Sequence, residues 1–194
     1  METTHLGKQD WMRAARRALI HGGPAAVRVE KLARDLKVTK GSFYWHFKDR
    51  GDLLESLLRE WEEETSTLFS RAMACRDPRD GLRYLAGELE RSVASPPGEY
   101  PPDAAIFNWA AVSPHVAQRV NRIERRRIDM LTQLTGGPDR AELGYLVWLG
   151  FVSRRHRFPA TAESYPLISA LLFDLLQPKR WSRPKTSRPE RTPR

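Results

Sequence analysis

Apolar residues recur at helical spacing along almost the whole chain, and this periodicity limits the possible folds more than any other feature. Val29, Leu32, Ala33 and Leu36 show it most cleanly, since their spacing places all four on one face of a helix. Strand signals are nearly absent. About nine such segments can be traced along the 194 residues, so the sequence predicts an all-α fold.

Residues 27–54 contain two short helical segments joined by a tight turn. In the second segment, which Thr39 can cap, Phe43 and Phe47 are spaced to face a core. The side chains that would then be exposed are polar or aromatic: Lys40, Ser42, Tyr44 and Trp45. Two helices with a tight turn, the second exposing such groups, describe a helix-turn-helix whose second helix fits the DNA major groove.

The net charge of +9 is unevenly distributed. Residues 1–50 carry a net charge of +6, residues 51–177 a net charge of −3, and residues 178–194 again +6. A basic segment at residues 1–50 followed by a mildly acidic one at 51–177 indicates that residues 1–50 contact a polyanion, although the positive charge could also serve only to keep the protein soluble. The last segment is rich in Pro, Lys, Arg and Ser, so we expect a basic disordered tail, and whether it contacts DNA stays open.

Several functional classes lack support in the sequence. Cys75 is the only cysteine and the five histidines are scattered, so we predict no metal site and no cofactor. No nucleophile elbow, phosphate-binding glycine loop or zinc-protease motif occurs, which predicts no catalytic residues. No run of about 20 apolar residues and no signal peptide is present, so we expect a cytoplasmic protein without a membrane span.

The residues of the helix-turn-helix segment resemble the DNA-binding domain of TetR-type transcriptional regulators. The resemblance covers roughly residues 10–55 and rests on Leu32-Ala33, Val38-Thr39, Gly41, Phe43-Tyr44, His46-Phe47, Arg50 and Leu53. The remainder resembles that family in architecture: a long fourth helix, helices that form a ligand pocket, and two C-terminal helices for dimerisation. Lys37 departs from the pattern, since the family usually has Gly at this turn, and a left-handed Lys costs about 1 kcal/mol.

The resemblance implies a set of DNA-contacting residues. Lys40, Ser42 and Trp45 would face bases, and Tyr44 and His46 would contact phosphates. Lys48 and Arg50 would lie near the DNA backbone. Three further residues complete the predicted DNA-binding set: Arg28, Lys37 and Thr39.

The second domain offers candidate pocket residues by helical phase. Arg127 shares a stripe with apolar residues, so it must be paired, and Glu88 is a possible partner. The pair could be purely structural or could anchor an acidic ligand. The candidate lining residues, which could equally form a plain core, are Phe69, Met73, Tyr84, Glu88, Phe107, Trp109, Arg127 and Trp148.

Three segments follow from these observations: a DNA-binding domain at 8–51, a ligand-binding and dimerisation domain at 52–177, and the tail at 178–194. Gly144 and Gly150 would allow the last two helices to approach a second subunit closely. The resemblance implies a homodimeric transcriptional regulator that binds a palindromic double-stranded DNA operator and is released by a small-molecule inducer. We expect this regulator to act as a repressor. The alternatives are a regulator that activates or has no ligand, a DNA-coating protein without sequence preference, and a helical enzyme.

Overall fold

A computed structural model describes residues 6–95, 99–158 and 163–176. Within these ranges the chain is helical and holds no strand, which confirms the all-α prediction. The predicted disordered tail lies outside the described residues. The nine helices of the described part are α1 (Lys8–Ala26), α2 (Val29–Asp35), α3 (Lys40–Tyr44), α4 (Arg50–Met73), α5 (Pro78–Ala94), α6 (Asp103–Ala110), α7 (Pro114–Thr135), α8 (Pro138–Arg157) and α9 (Tyr165–Leu176).

Local chemistry explains where several helices begin. The side chain of Asp49 accepts a hydrogen bond from the backbone N–H of Asp52 at the start of α4 (2.8 Å). Asp77 caps α5 in the same way. Proline occupies the first turn of three helices, where its missing N–H has no intrahelical partner to lose: Pro78, Pro114 and Pro138.

The sequence Gly22-Gly23-Pro24 predicts a helix stop, and α1 is interrupted at these residues. Gly22 and Gly23 leave helical geometry, and Gly23 has a φ of +66° that favours glycine. One further turn then begins at Pro24 and ends at Ala26. The predicted stop is therefore a kink, after which the chain redirects into α2.

The largest core joins the helix-turn-helix to the helices behind it. Trp11, Phe43, Phe47 and Leu53 are fully or almost fully buried there, and the rings of Trp11 and Phe43 meet edge to face with centroids 5.3 Å apart. Ile106 of α6 belongs to the same cluster, and α1 packs against both α4 and α6. The predicted boundary between the DNA-binding domain and the second domain, at residues 51 and 52, lies close to the start of α4 and stays a prediction.

Helices α4 to α9 form the C-terminal body, in which α7 packs most extensively against α8. Two smaller clusters hold it together. One contains Phe69, Leu131, Ala141 and Tyr145, and the other joins α4, α5, α7 and α9 through Ala72, Leu82, Leu134 and Leu176. No helix in the described ranges has the length and apolarity needed to cross a membrane.

Candidate nucleic-acid interface and ligand cavity

The turn between α2 and α3 is closed by backbone hydrogen bonds. The N–H of Val38 donates to the carbonyl oxygen of Ala33 (2.9 Å), and the N–H of Lys37 donates to that of Arg34 (3.1 Å). Lys37 has a φ of +57°, the only positive value at a non-glycine residue in the described part of the chain. The turn therefore has a left-handed residue at the position where the family usually has Gly, and Lys37 takes that conformation at a cost of about 1 kcal/mol.

Helix α3 is fixed by its inner face and presents its outer face to solvent. Phe43 and Phe47 are buried and stack with centroids 5.3 Å apart. On the outer side Tyr44 is 56% exposed, and Trp45, the residue that ends α3, is 87% exposed. Large exposed aromatic side chains held by a rigid element suit contact with a partner surface.

The other predicted DNA contacts divide into those that are exposed and those that bind the protein itself. Arg28, Lys37, Thr39 and Lys48 are exposed, while Ser42 is half-buried. The exposed members lie on or beside the two helices of the motif. The charges of Arg28, Lys37 and Lys48 can meet a phosphate without the loss of a buried contact.

Lys40 is also exposed, but it is already paired. Its ammonium donates to the carboxylate of Glu30 on α2 (Nζ to Oε1, 2.5 Å). This hydrogen bond raises the pKa of Lys40 and lowers the pKa of Glu30. A base or phosphate that binds Lys40 must therefore compete with Glu30, a residue that the sequence analysis did not single out.

His46 and Arg50 bind the protein in this structure. His46 Nε2 lies 3.3 Å from the carbonyl oxygen of Leu6, in a partly buried contact. Arg50 donates from Nε to the carbonyl oxygen of Val27 (2.7 Å) and from Nη2 to that of Pro24 (2.5 Å). Arg50 therefore ties the end of α1 to the start of α4. It remains exposed, and its place near the DNA backbone stays a prediction.

Residues 12–57 match the family model described as bacterial regulatory proteins of the tetR family. The matched range covers most of α1, the helix-turn-helix and the start of α4. Residues 12–57 are a TetR-family DNA-binding domain.

The remaining helices have the same overall arrangement as solved TetR structures. The chain is similar to a TetR-family transcriptional regulator from Streptomyces coelicolor, with a TM-score of 0.67, 17% identity, and 87% of this chain and 90% of that chain covered. It is similar to a TetR-family regulator from Agrobacterium tumefaciens, with a TM-score of 0.68, 18% identity, and coverage of 86% and 95%. Salmonella enterica GusR matches with a TM-score of 0.62, 16% identity, and coverage of 87% and 92%. A search of curated proteins gives no match. The match at residues 12–57 shows a TetR-family DNA-binding domain, and the likeness to these structures shows a TetR-like fold for the chain.

The C-terminal body contains a cavity of about 490 Å³, a size that suits a small organic ligand. Of the predicted residues, Phe69, Glu88, Arg127 and Trp148 line it.

The other four predicted residues lie elsewhere because of helical phase. Met73 and Tyr84 pack beside the cluster that joins α5 to α9, and Phe107 and Trp109 pack against the core behind the helix-turn-helix. On the face of α8 that lines the cavity, Trp148 was predicted, while Tyr145, Val152 and Arg155 were missed although their helical spacing from Trp148 could have indicated them.

Arg127 is 4% exposed and lies at the centre of a buried polar network. Its Nη2 donates to Asp103 Oδ1 and to Thr65 Oγ1, both at 2.8 Å, and Trp61 Nε1 donates to the same Asp103 oxygen at 2.8 Å. The guanidinium also lies 4.7 Å from the ring centroid of Trp148. The need for a partner is confirmed, but that partner is Asp103.

Glu88, which the sequence suggested as that partner, pairs with Arg91 one turn along its own helix (2.5 Å). The hydrogen bond from Arg91 lowers the pKa of Glu88. Glu88 therefore lies in the cavity wall as half of a local ion pair, and no contact joins it to Arg127.

Helices α8 and α9 carry exposed leucines on the outer surface of the body. Leu146 is exposed on α8, and Leu167, Leu171 and Leu175 follow one face of α9 at intervals of four residues. Gly144 packs inside the subunit, where an added Cβ would lie 3.0 Å from Leu176 Cδ1, while Gly150 has open space around it. Of the two glycines expected to meet a second subunit, only Gly150 is open to one.

Proposed function

We propose that this protein is a ligand-responsive transcriptional regulator that binds a palindromic DNA operator as a homodimer and is released by a small molecule. The observation that carries the proposal is the outer face of α3, with Trp45 87% exposed and Lys40 beside it, on a helix anchored by buried Phe43. A rigid helix with such a face can enter the major groove and read base edges. We assign base contacts to Lys40, Ser42 and Trp45, and phosphate contacts to Tyr44 and the exposed cations around it.

The cavity supports the ligand-responsive part of this proposal. It is bounded by α4, whose N-terminal end belongs to the DNA-binding domain, and by five further helices of the body. Thr65 and Trp61 of α4 contact the Arg127 network in its wall. A ligand that favours another position of α4 would change the orientation of the DNA-binding domain, and thereby its affinity for the operator.

The exposed leucines of α8 and α9 support the homodimer. Pairing of these faces through a two-fold axis would form a four-helix bundle and remove the leucines from water. Two recognition helices would then lie about 34–36 Å apart, one turn of DNA, on a palindromic site. We propose that the protein represses transcription, because a regulator bound to an operator that overlaps a promoter excludes RNA polymerase without any further contact.

Fluorescence anisotropy with duplexes from the region upstream of the gene tests the proposal. We expect binding that survives scrambled competitor DNA, saturates at two protomers per site, and weakens at higher salt as phosphate contacts are lost. A Trp45→Ala variant should weaken binding to the operator while leaving the fold intact by circular dichroism.

Two outcomes would contradict the proposal. Binding abolished by scrambled competitor on every genomic fragment tried would favour a DNA-coating protein without sequence preference. Saturation at one protomer per site would rule out the homodimer. Catalysis is not part of the proposed function.

A further inference from the structure

The charged side chains that line the cavity are mostly held by partners of opposite charge. Arg16 contacts Glu60 and Glu64 at 2.7 and 2.6 Å. Asp103 holds Arg127, and Arg91 holds Glu88. The Asp103–Arg127 and Arg91–Glu88 pairs are each neutral, and the two glutamates at Arg16 leave one excess negative charge, so none of these groups offers an unpaired cation to an anionic ligand.

Arg155 of α8 is the cation in this wall that has no carboxylate partner within 4.0 Å in the described ranges. The flat face of its guanidinium lies over the ring of Tyr100, 3.9 Å from the centroid. Its Nη1 makes one long contact, 3.4 Å, with Ser92 Oγ. Burial lowers the pKa of Arg155, because a half-buried cation without a counter-ion is poorly solvated.

Stacking on Tyr100 leaves the edge of the guanidinium available. A guanidinium donates from its edge, in the plane of the group, and the geometry of two parallel donors matches the two oxygens of a carboxylate. Tyr100 therefore holds the plane of Arg155 while the donors that would receive an anion remain largely unused. The acid whose charge acts on Arg155 is Asp103, which already holds Arg127 in a direct ion pair, while Glu99, the neighbouring acid of the wall, is exposed.

The wall next to Arg155 is apolar. Trp148 and Val152 lie on the same face of α8, and Leu89 of α5 and Ile168 of α9 also line the cavity. Trp148 lies seven residues before Arg155, which places it two helical turns, or roughly 10 Å, along the axis. An apolar group that extends from Arg155 towards Trp148 would be covered over that length.

We propose that the cavity binds an organic monocarboxylate, with the carboxylate on the edge of Arg155 and an apolar body about 10 Å long against Val152 and Trp148. This inference deepens the proposed function and rests on it, since the acid would be the molecule that the regulator senses. A neutral compound of the same shape would leave Arg155 without a counter-ion. An amine would place a second cation beside it.

Isothermal titration calorimetry of the full chain with three compounds of one carbon framework tests the inference: 4-phenylbutyrate, 4-phenylbutanol and 4-phenylbutylamine. We expect the acid to bind about tenfold or more tightly than the alcohol, the gain of a charge-assisted hydrogen bond to a desolvated arginine. The amine should bind most weakly. Equal or tighter binding of the alcohol or the amine, or no heat from the acid at millimolar concentration, would overturn the inference.

Variants of α8 then locate the anion. Arg155→Met should abolish the preference for the acid and leave the affinity for the alcohol almost unchanged. Arg155→Lys, which keeps the positive charge, should retain part of the preference for the acid. Arg154→Met is the matched control, because Arg154 is exposed, lies over Phe158 and does not line the cavity. A preference for the acid that survives in Arg155→Met, or disappears in Arg154→Met, would contradict the assignment.

A separate measurement distinguishes failure of this inference from failure of the proposed function. The titrations contain no DNA, so they report on the cavity alone. Repeating the operator-binding assay with saturating 4-phenylbutyrate then asks whether occupancy changes DNA affinity. Binding of the acid through Arg155 without an effect on operator affinity would leave the site assignment standing and count against ligand-controlled release.

Discussion

Lys37 adopts a backbone conformation that glycine reaches more easily. Its φ of +57° costs about 1 kcal/mol, while glycine loses roughly 0.4–1 kcal/mol more conformational entropy on folding. We expect Lys37→Gly to raise the free energy of unfolding by up to about 0.5 kcal/mol, as measured by urea denaturation. The same variant should bind operator DNA more weakly, because it removes an exposed cation from the turn. A loss of stability together with unchanged DNA affinity would show that Lys37 supports the fold and not the interface.

Glu30 is an anion beside the proposed DNA-binding surface, where it holds Lys40. Glu30→Gln removes a charge that repels phosphate and releases Lys40 from its ion pair. We expect operator affinity to rise by roughly two- to fivefold, since both partners are exposed and exposed pairs are weak. Lys31→Gln is the matched control on the same helix, because its partner Asp35 is not part of the interface. Weaker binding of Glu30→Gln would mean that the pair positions Lys40 for DNA.

The partner of Arg127 shows what the sequence could predict at the scale of residues and what it could not. Its place on an apolar stripe was enough to predict burial and an ion pair. Asp103 could not be chosen over Glu88, because both lie on helices that pack against α7 and periodicity gives no distance between them. The same limit applies to Arg50, whose type suits phosphate although its donors bind two backbone carbonyl groups.

At the scale of helices, α5 contains two glycines with opposite surroundings. A Cβ on Gly81 would lie 2.6 Å from the carbonyl oxygen of Ala72 and 2.7 Å from Leu134 Cδ2, while one on Gly87 would meet only Arg91 Nη1 at 3.8 Å. We expect Gly81→Ala to lower the free energy of unfolding by about 1–3 kcal/mol through overpacking. Gly87→Ala should raise it by about 0.5–1 kcal/mol, since alanine favours the helix. Thermal denaturation of the two variants measures whether each one lowers or raises the stability. Equal effects of Gly81→Ala and Gly87→Ala would refute the close approach of α4 and α5 at Gly81.

The Asp103–Arg127 pair joins α6 to α7, and Thr65 and Trp61 attach it to α4. Arg127→Met leaves the buried carboxylate of Asp103 without its cation, so we expect a loss of about 3–5 kcal/mol in the free energy of unfolding. The double variant Asp103→Asn with Arg127→Met should lose considerably less, because no uncompensated charge remains. Urea denaturation of the two single variants and the double variant gives the coupling energy. Additive losses would mean that the pair does not act as a unit.

Helical periodicity predicted the helices better than the way they meet. The apolar spacing of α2 predicted that helix, and the prolines that begin α5, α7 and α8 and the glycine that ends α7 are likewise local signals in the sequence. Whether Met73 or Phe69 faces the cavity depends on how α4 is rotated against α5, α7 and α8, which a single helix does not determine. Met73 lies four residues beyond Phe69, close enough in phase to be predicted for the same wall, yet it packs beside α9 instead.

At the scale of the whole molecule, α4 is the element shared by the DNA-binding domain and the cavity wall. Its first turns belong to the matched TetR-family range, and its later residues Trp61 and Thr65 line the cavity. On its outer side, Glu55 and Glu62 hold Arg119 of α7 at 2.5 and 2.8 Å. A displacement of α7 by a ligand would therefore act on α4 through both Arg119 and the Arg127 network, which gives ligand occupancy a physical route to the recognition helix.

The exposed face of α9 has an energetic consequence for the assembly. Leu167, Leu171 and Leu175 are 66%, 62% and 47% exposed in the single subunit, and burial of the area that remains exposed would stabilise each by about 0.7–2 kcal/mol. Leu171→Glu would place a charge in the centre of that face, so we expect sedimentation velocity to show monomers where the unaltered chain is dimeric. Val112→Glu is the matched control, because Val112 is 80% exposed but follows α6 and lies on neither α8 nor α9.

The same pair of variants connects assembly to DNA binding. A monomer must bind each half of a palindrome independently, whereas a dimer binds the second half-site as an intramolecular step. Leu171→Glu should therefore lower operator affinity by tenfold or more, about 1.4 kcal/mol, although none of its DNA-binding residues has changed. If Leu171→Glu remains dimeric, or if its monomers bind the operator as tightly as the unaltered chain, the two-fold arrangement through α8 and α9 is excluded, and the exposed leucines must serve another surface.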